Sequence, residues 1–125
     1  MAVTEITPTA LVKGTTEGVV TQGAGTAINT ANTMEILYPK EGKLLLWVDS
    51  DHASTAAVIS AGDAGVAKGL GATTWAVGNT VAEIFLPDSD RHLIATGDGA
   101  SAFKGCIEIS WATDSAGFLR AFYLP

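Results

Sequence analysis

The stretch TMEILYPKEGKLLLWVD, Thr33 to Asp49, holds two short runs of β-branched, leucine and aromatic side chains on either side of Pro39-Lys40-Glu41-Gly42. Proline early and glycine last is the chemistry of a four-residue turn, because proline pre-sets φ and glycine accepts the positive φ at which a chain reverses. Thr33 to Tyr38 and Lys43 to Asp49 therefore read as strands, and with the turn between them they predict a β-hairpin.

Working outward, the same vocabulary recurs. Ser54 to Ser60 (STAAVIS) reads as a strand, with Ala56 and Ala57 leaving a short helix open; Gly62 to Gly71 holds four glycines and reads as a loop. Strands are predicted over Ala72 to Val77, Thr80 to Leu86, Arg91 to Thr96, Lys104 to Thr113 and Gly117 to Leu124. Tight turns are predicted at Gly78-Asn79 and Asp114-Ser115-Ala116, and residues 13 to 33 read as loop, short strand, loop, strand. No window supports an amphipathic helix longer than two turns. Short strands recurring about every 8 to 12 residues with turns between them predict an all-β chain, an antiparallel β-sandwich or jelly-roll-like domain. Residues 13–125 are read as that single domain. Residues 1–12 are read as an extended N-terminal arm, in which Pro8 is barred from a central strand. Val3, Ile6, Pro8 and Leu11 have no nearby hairpin or helical partner in sequence and are the side chains expected to contact another subunit.

Charged residues make up 16% of the chain, and the difference from a typical ~25% is filled by 20 Ala, 15 Thr and 14 Gly. Mean hydropathy is +0.30, so one small core cannot hide all the apolar surface, and self-association is expected. The net charge of −6 and the scatter of the seven Lys and Arg exclude nucleic acid and an anionic membrane surface as expected partners. The longest apolar run, Leu44 to Val48, is far too short to span a bilayer. Met1 to Glu5 has neither the basic nor the apolar region of a signal peptide, so synthesis in a cytoplasm is expected.

Candidate chemistry is thin. Cys106 lies in the alternation Cys106-Ile107-Glu108-Ile109-Ser110-Trp111 and reads as a buried, inert thiol. Asp49-Ser50-Asp51-His52 and Asp88-Ser89-Asp90-Arg91 resemble each other, each after an apolar strand and before a Gly-Asp pair, Gly62-Asp63 and Gly97-Asp98. Asp49 and Asp51 would point oxygens toward a calcium ion, but the loop lacks the remaining ligands and the bidentate Glu, so turn chemistry is the preferred reading and no metal or cofactor is expected. His52 and His92 stand too far apart in sequence to suggest zinc. No nucleophile elbow or P-loop is present, and no catalytic residue is assigned. Trp47 and Trp111 read as core; Trp75 is the tryptophan allowed to be exposed, where it would offer a stacking platform for sugar.

Thr33 to Thr55 (TMEILYPKEGKLLLWVDSDHAST) and Gly117 to Pro125 (GFLRAFYLP), with the small-residue strands between them, resemble the capsid decoration or cement proteins encoded beside the major capsid protein in tailed-phage head modules. The resemblance implies a non-enzymatic, β-rich virion protein on the capsid exterior. It also implies a homo-oligomer, often a trimer, that contacts the major capsid protein and holds neighbouring capsomers together. A carbohydrate-binding β-sandwich module of a phage tail or surface protein is the alternative reading.

Overall fold

A computed structural model describes residues 3–11, 25–63, 65–78, 82–95 and 103–124. Alternation organises the strands of this region. In β4 (Thr33–Pro39) Met34, Ile36 and Tyr38 point one way, and in β5 (Lys43–Ser50) Leu44, Leu46 and Val48 do the same. Five of these six are at most 1% exposed, and Tyr38 is 6% exposed. Two strands with one fully buried face each must bring those faces together.

They do so across two sheets. The first sheet runs β1 (Val3–Ile6), β4, β9 (Phe103–Trp111), β6 (Ala56–Ile59), β7 (Thr73–Ala76); the second runs β2 (Thr9–Ala10), β10 (Gly117–Leu124), β5, β8 (Ala82–Phe85), with β3 (Thr26–Ala27) also on β10. The chain is an all-β sandwich, as expected. Its sheets are mixed: β1 lies parallel to β4 and β2 parallel to β10, while the other pairings are antiparallel. Ile59, Ile107, Ile109, Trp75 and Trp111 from the first sheet meet Leu46, Val48, Leu119 and Ala121 from the second in one core. Burying each of the larger side chains contributes about 1.5 to 3 kcal/mol before entropy is counted.

The predicted hairpin is corrected. β4 and β5 are not paired with each other; the turn at residues 39–42, with Gly42 at φ +98°, carries the chain from one sheet to the other. Turn chemistry encodes reversal. It does not encode whether the returning strand bonds beside its predecessor or faces it across a core. The connection through Asp114 to Ala116 likewise joins strands in different sheets, and β6 with β7 is the one pairing of consecutive strands among the described residues.

Arg91 to Thr96 is also corrected. A single helical turn, α1 (Ser89–His92), takes the first two residues of the predicted strand, and among the described residues only Ile94 of that stretch bridges to a strand, at Cys106. Asp88 caps the turn, its side chain accepting the Asp90 N–H at 2.9 Å, so the local polar chemistry outweighs the β-propensity of the apolar residues that follow. The described residues of the predicted loop, 62–63 and 65–71, form no strand and carry a 3-10 turn at Lys68–Leu70. The short strand expected between residues 13 and 24, Asn79 of its turn, and the Gly97-Asp98 pair lie outside the described residues.

Candidate functional site

The arm runs along one side of the sandwich and belongs to both sheets. β1 places Val3, Thr4, Glu5 and Ile6 beside Thr33, Met34, Glu35 and Ile36; the chain then crosses at Thr7-Pro8, and β2 places Thr9 and Ala10 beside Phe122 and Tyr123. Pro8, which has no N–H to give a ladder, sits at the crossing between the two pairings. Ile6 is 9% exposed and part of the core, Pro8 is buried, and Leu11 is half-buried with its N–H donating to the Tyr123 carbonyl at 2.9 Å. Of the four side chains expected to meet a partner, Val3 alone is more than half exposed, at 54%. Sequence reasoning missed these internal partners because parallel pairing to a strand 30 residues away leaves no local signal. Met1, Ala2 and Val12 of the arm lie outside the described residues.

The two outer faces of the sandwich differ in chemistry. On the first sheet, Glu5 pairs in register with Glu35 and Glu35 with Glu108, so three carboxylates line up across β1, β4 and β9 at the roughly 4.8 Å spacing of neighbouring strands. Ser60 donates its hydroxyl to Glu108 Oε1 at 3.3 Å. On the second sheet, the corresponding positions are Lys43, Leu45, Trp47 and Asp49 on β5, Phe118, Arg120, Phe122 and Leu124 on β10, and Ala82 and Ile84 on β8, with Asp49 and Phe122 buried. The Arg120 guanidinium lies 4.9 Å from the Phe122 ring centre, a cation–π contact. Ile84 and Leu86, just past β8, are 50% and 65% exposed.

The tryptophans reverse the expectation. Trp75 is 7% exposed and stacks in the core at 5.3 Å from Phe85, with its Nε1 donating to Glu83 on β8 at 3.3 Å, a bond that ties the two sheets at their free side. Trp47 is the half-buried one, and its buried Nε1 has no hydrogen-bond partner among the described residues. The signal was present in the sequence. If Leu44, Leu46 and Val48 form one face of a strand, Trp47 must fall on the other. Trp111 is buried as expected, Nε1 directed at Met34 Sδ at 3.2 Å, and Cys106 is 2% exposed.

The two Asp-Ser-Asp segments adopt different structures. Asp49 and Ser50 end a strand, and Ser50 Oγ donates to the His52 carbonyl; Asp88 to Arg91 form the capped turn. Both use short polar side chains to bond nearby backbone, and the described residues contain no group of three or more His, Cys, Asp or Glu placed to hold a metal. Asp49 is 8% exposed and Asp51 is exposed. His92, 2% exposed, is a joint that the sequence did not suggest: Nδ1 lies 3.1 Å from the Ser60 carbonyl and Nε2 3.1 Å from Thr73 Oγ1. A carbonyl only accepts, so Nδ1 carries the proton and donates, fixing α1 to the segment after β6 and the start of β7. Arg91 secures the adjacent loop by donating to the carbonyls of Leu70, Gly71 and Ala72 at 2.9 to 3.1 Å. A shallow cavity of about 290 Å³ opens between Tyr38, Lys43, Leu86, Asp88 and Ser89. Burial pushes the Tyr38 phenol above its ordinary pKa, the carboxylates of Asp88 and Asp90 push the same way, and a hydrogen bond with Ser89 opposes them.

No protein-family model, curated protein or solved structure matches the chain.

Proposed function

We propose that this protein is a non-enzymatic structural component of a virion that binds the exterior of a capsid shell, contacts the major capsid protein and further copies of itself as a trimer, and stabilises the contacts between capsomers. The observation that carries this reading is the inequality of the two outer faces. Burying the aligned Glu5, Glu35 and Glu108 against a partner would strip water from three carboxylates, a cost of several kcal/mol each without new partners, so that face suits solvent. The second face offers aromatic, leucine and arginine side chains, the residue types that dominate protein interfaces. Exposed Ile84 and Leu86 mark where that apolar surface reaches water.

The carbohydrate-binding alternative would have to use an aromatic other than Trp75, which is in the core. The deciding experiment adds purified protein to shells that lack it and measures occupancy by electron microscopy and resistance of the shell to heat. Bound copies and a raised melting temperature are expected, with occupancy falling for Ile84→Asp and Leu86→Asp and holding for Glu35→Gln. Absence of any binding sinks the decoration reading; parental binding by both Asp variants sinks the choice of face.

A further inference from the structure

We propose that copies of this protein join through one end of the sandwich, the end at which residues 65–71 fold around α1. The proposal rests on the self-association part of the reading above and adds the surface that carries it. Chain connectivity gathers this end from three places. Leu124 pairs with Lys43 where β5 begins, beside the turn at residues 39–42; Leu86 follows Phe85, which stands opposite Leu46; and α1 starts three residues later. α1 then draws in the loop. The Gly62 and Ala67 N–H groups donate to the Arg91 and Asp90 carbonyls at 2.7 and 2.9 Å, and Arg91 donates to the carbonyls of Leu70, Gly71 and Ala72.

Among the described residues seven large apolar side chains are exposed, and four of them sit here: Val66 at 94%, Leu70 at 69%, Leu86 at 65% and Leu124 at 48%. Val66 and Leu70 are the most exposed of the seven, yet their backbone is tied down. Gly65 lies so close to the Asp90 backbone that a Cβ would clash, the Leu70 N–H donates to the Ala67 carbonyl at 3.0 Å, and the Gly71 N–H donates to the Lys68 carbonyl at 3.2 Å. A segment already ordered gives up little entropy when a partner buries it. The folded chain leaves these side chains in water, so their cover has to come from a second molecule.

Charge identifies that molecule as another copy. At this end Lys40, Lys43, Lys68 and Arg91 balance Glu41, Asp63, Asp88 and Asp90. Elsewhere among the described side chains, the aligned Glu5, Glu35 and Glu108, together with Glu83, Asp49, Asp51 and Asp114, are offset by Arg120 alone. The uncompensated negative charge therefore lies away from this end. Two copies that met by the glutamate row, or by the far end where Asp51 and Asp114 lie, would bring like charges together. Two that meet here hold those charges apart. Because each copy brings both signs in equal number, the surface is also complementary to itself, a lysine of one copy facing an aspartate of the next.

Sedimentation of the full-length protein from about 1 µM to about 1 mM reads the association. The parent is expected to self-associate. Val66→Asp and Leu70→Asp should each weaken association about tenfold or more, while Val3→Asp, at an exposed position beside Thr33 and so at the far end of β4, should change it less than about twofold. A second measurement uses Gly69→Cys, where nothing lies within 4 Å of an added Cβ. A bulky maleimide attached there after folding should block association, whereas the same group on Asp51→Cys should not; Cys106, 2% exposed, is out of the reagent's reach. Association at parental strength by both aspartate variants and by the labelled Gly69→Cys chain overturns the interface and leaves the oligomer reading standing. A parent that stays monomeric at about 1 mM overturns both. If Val66→Asp and Leu70→Asp then lower occupancy on shells, the end meets the shell instead of a second copy.

Discussion

Gly117→Ala is expected to cost this protein about 3 to 4 kcal/mol, a large part of the 5 to 15 kcal/mol by which a domain of this size is stable. Gly117 opens β10 with φ +136°, and a Cβ built on it would lie 1.9 Å from the Asp49 carbonyl oxygen, where ordinary contact begins near 3.4 Å. The backbone conformation alone disfavours alanine by about 1 to 2 kcal/mol. Relieving the clash separates the first rung of the β10–β5 ladder, Gly117 with Ser50, and endangers the flanking bonds from Asp51 N–H to the Ala116 carbonyl and from Ile28 N–H to the Gly117 carbonyl, both 2.9 Å. Two such bonds are worth about 1 kcal/mol each. At roughly 4 °C per kcal/mol the melting temperature should fall by about 12 to 16 °C. Gly69→Ala is the matched control, because nothing lies within 4 Å of its added Cβ, and it should be neutral or stabilising by up to about 1 kcal/mol. Urea and thermal unfolding followed by tryptophan fluorescence read both, with Trp75 and Trp111 buried and responsive. A Gly117→Ala protein melting within about 2 °C of the parent would refute the β5–β10 register and the approach of the strands at Asp49.

Ile6→Ala should lower stability by about 2 to 3 kcal/mol in chemical denaturation, because Ile6 is a core residue opposite Ile36 rather than a solvated arm side chain; a change below about 0.5 kcal/mol would place the arm outside the sandwich. Arg91→Ala should release residues 62–71, seen as faster amide exchange and proteolytic nicking there, and Arg91→Lys should rescue only in part because an ammonium cannot present the planar fork that reaches three carbonyls. Ultraviolet titration should find Tyr38 ionising above the ordinary tyrosine value. Since the folded state holds that proton more tightly than the unfolded chain, its contribution is complete below about pH 10 and stability declines as the pH rises past that point; a Tyr38→Phe variant should lose this alkaline slope.

Strand positions were largely legible. The alternations at Thr33 to Tyr38, Lys43 to Asp49, Ala72 to Val77 and Gly117 to Leu124 appear as β4, β5, β7 and β10 with boundaries shifted by a residue or two. Where a reading failed, a local signal had been asked to carry long-range information. Trp75 sits beside small residues and a glycine, which resembles a surface strand end, yet Phe85 and Glu83 from the other sheet enclose it. Leu93 and Ile94 carry β-propensity, yet the cap at Asp88 and the His92 bonds to Ser60 and Thr73 determine the turn before them.

The sequence by itself determined that this chain is all-β, where its long strands and turns lie, that Cys106 and Trp111 are interior, and that its Asp-Ser-Asp segments serve the backbone. Each follows from side-chain period and turn chemistry, which act over two to four residues. Only the tertiary structure decided that β4 and β5 face each other instead of pairing, that Trp47 and not Trp75 lies on an outer face, that Glu5, Glu35 and Glu108 stand in one row, and that the arm bonds to both sheets. Those outcomes depend on which strand lies beside which, and partners such as Glu35 and Glu108 are brought together by the burial of a shared core between two sheets, a cooperative quantity that no window of sequence contains.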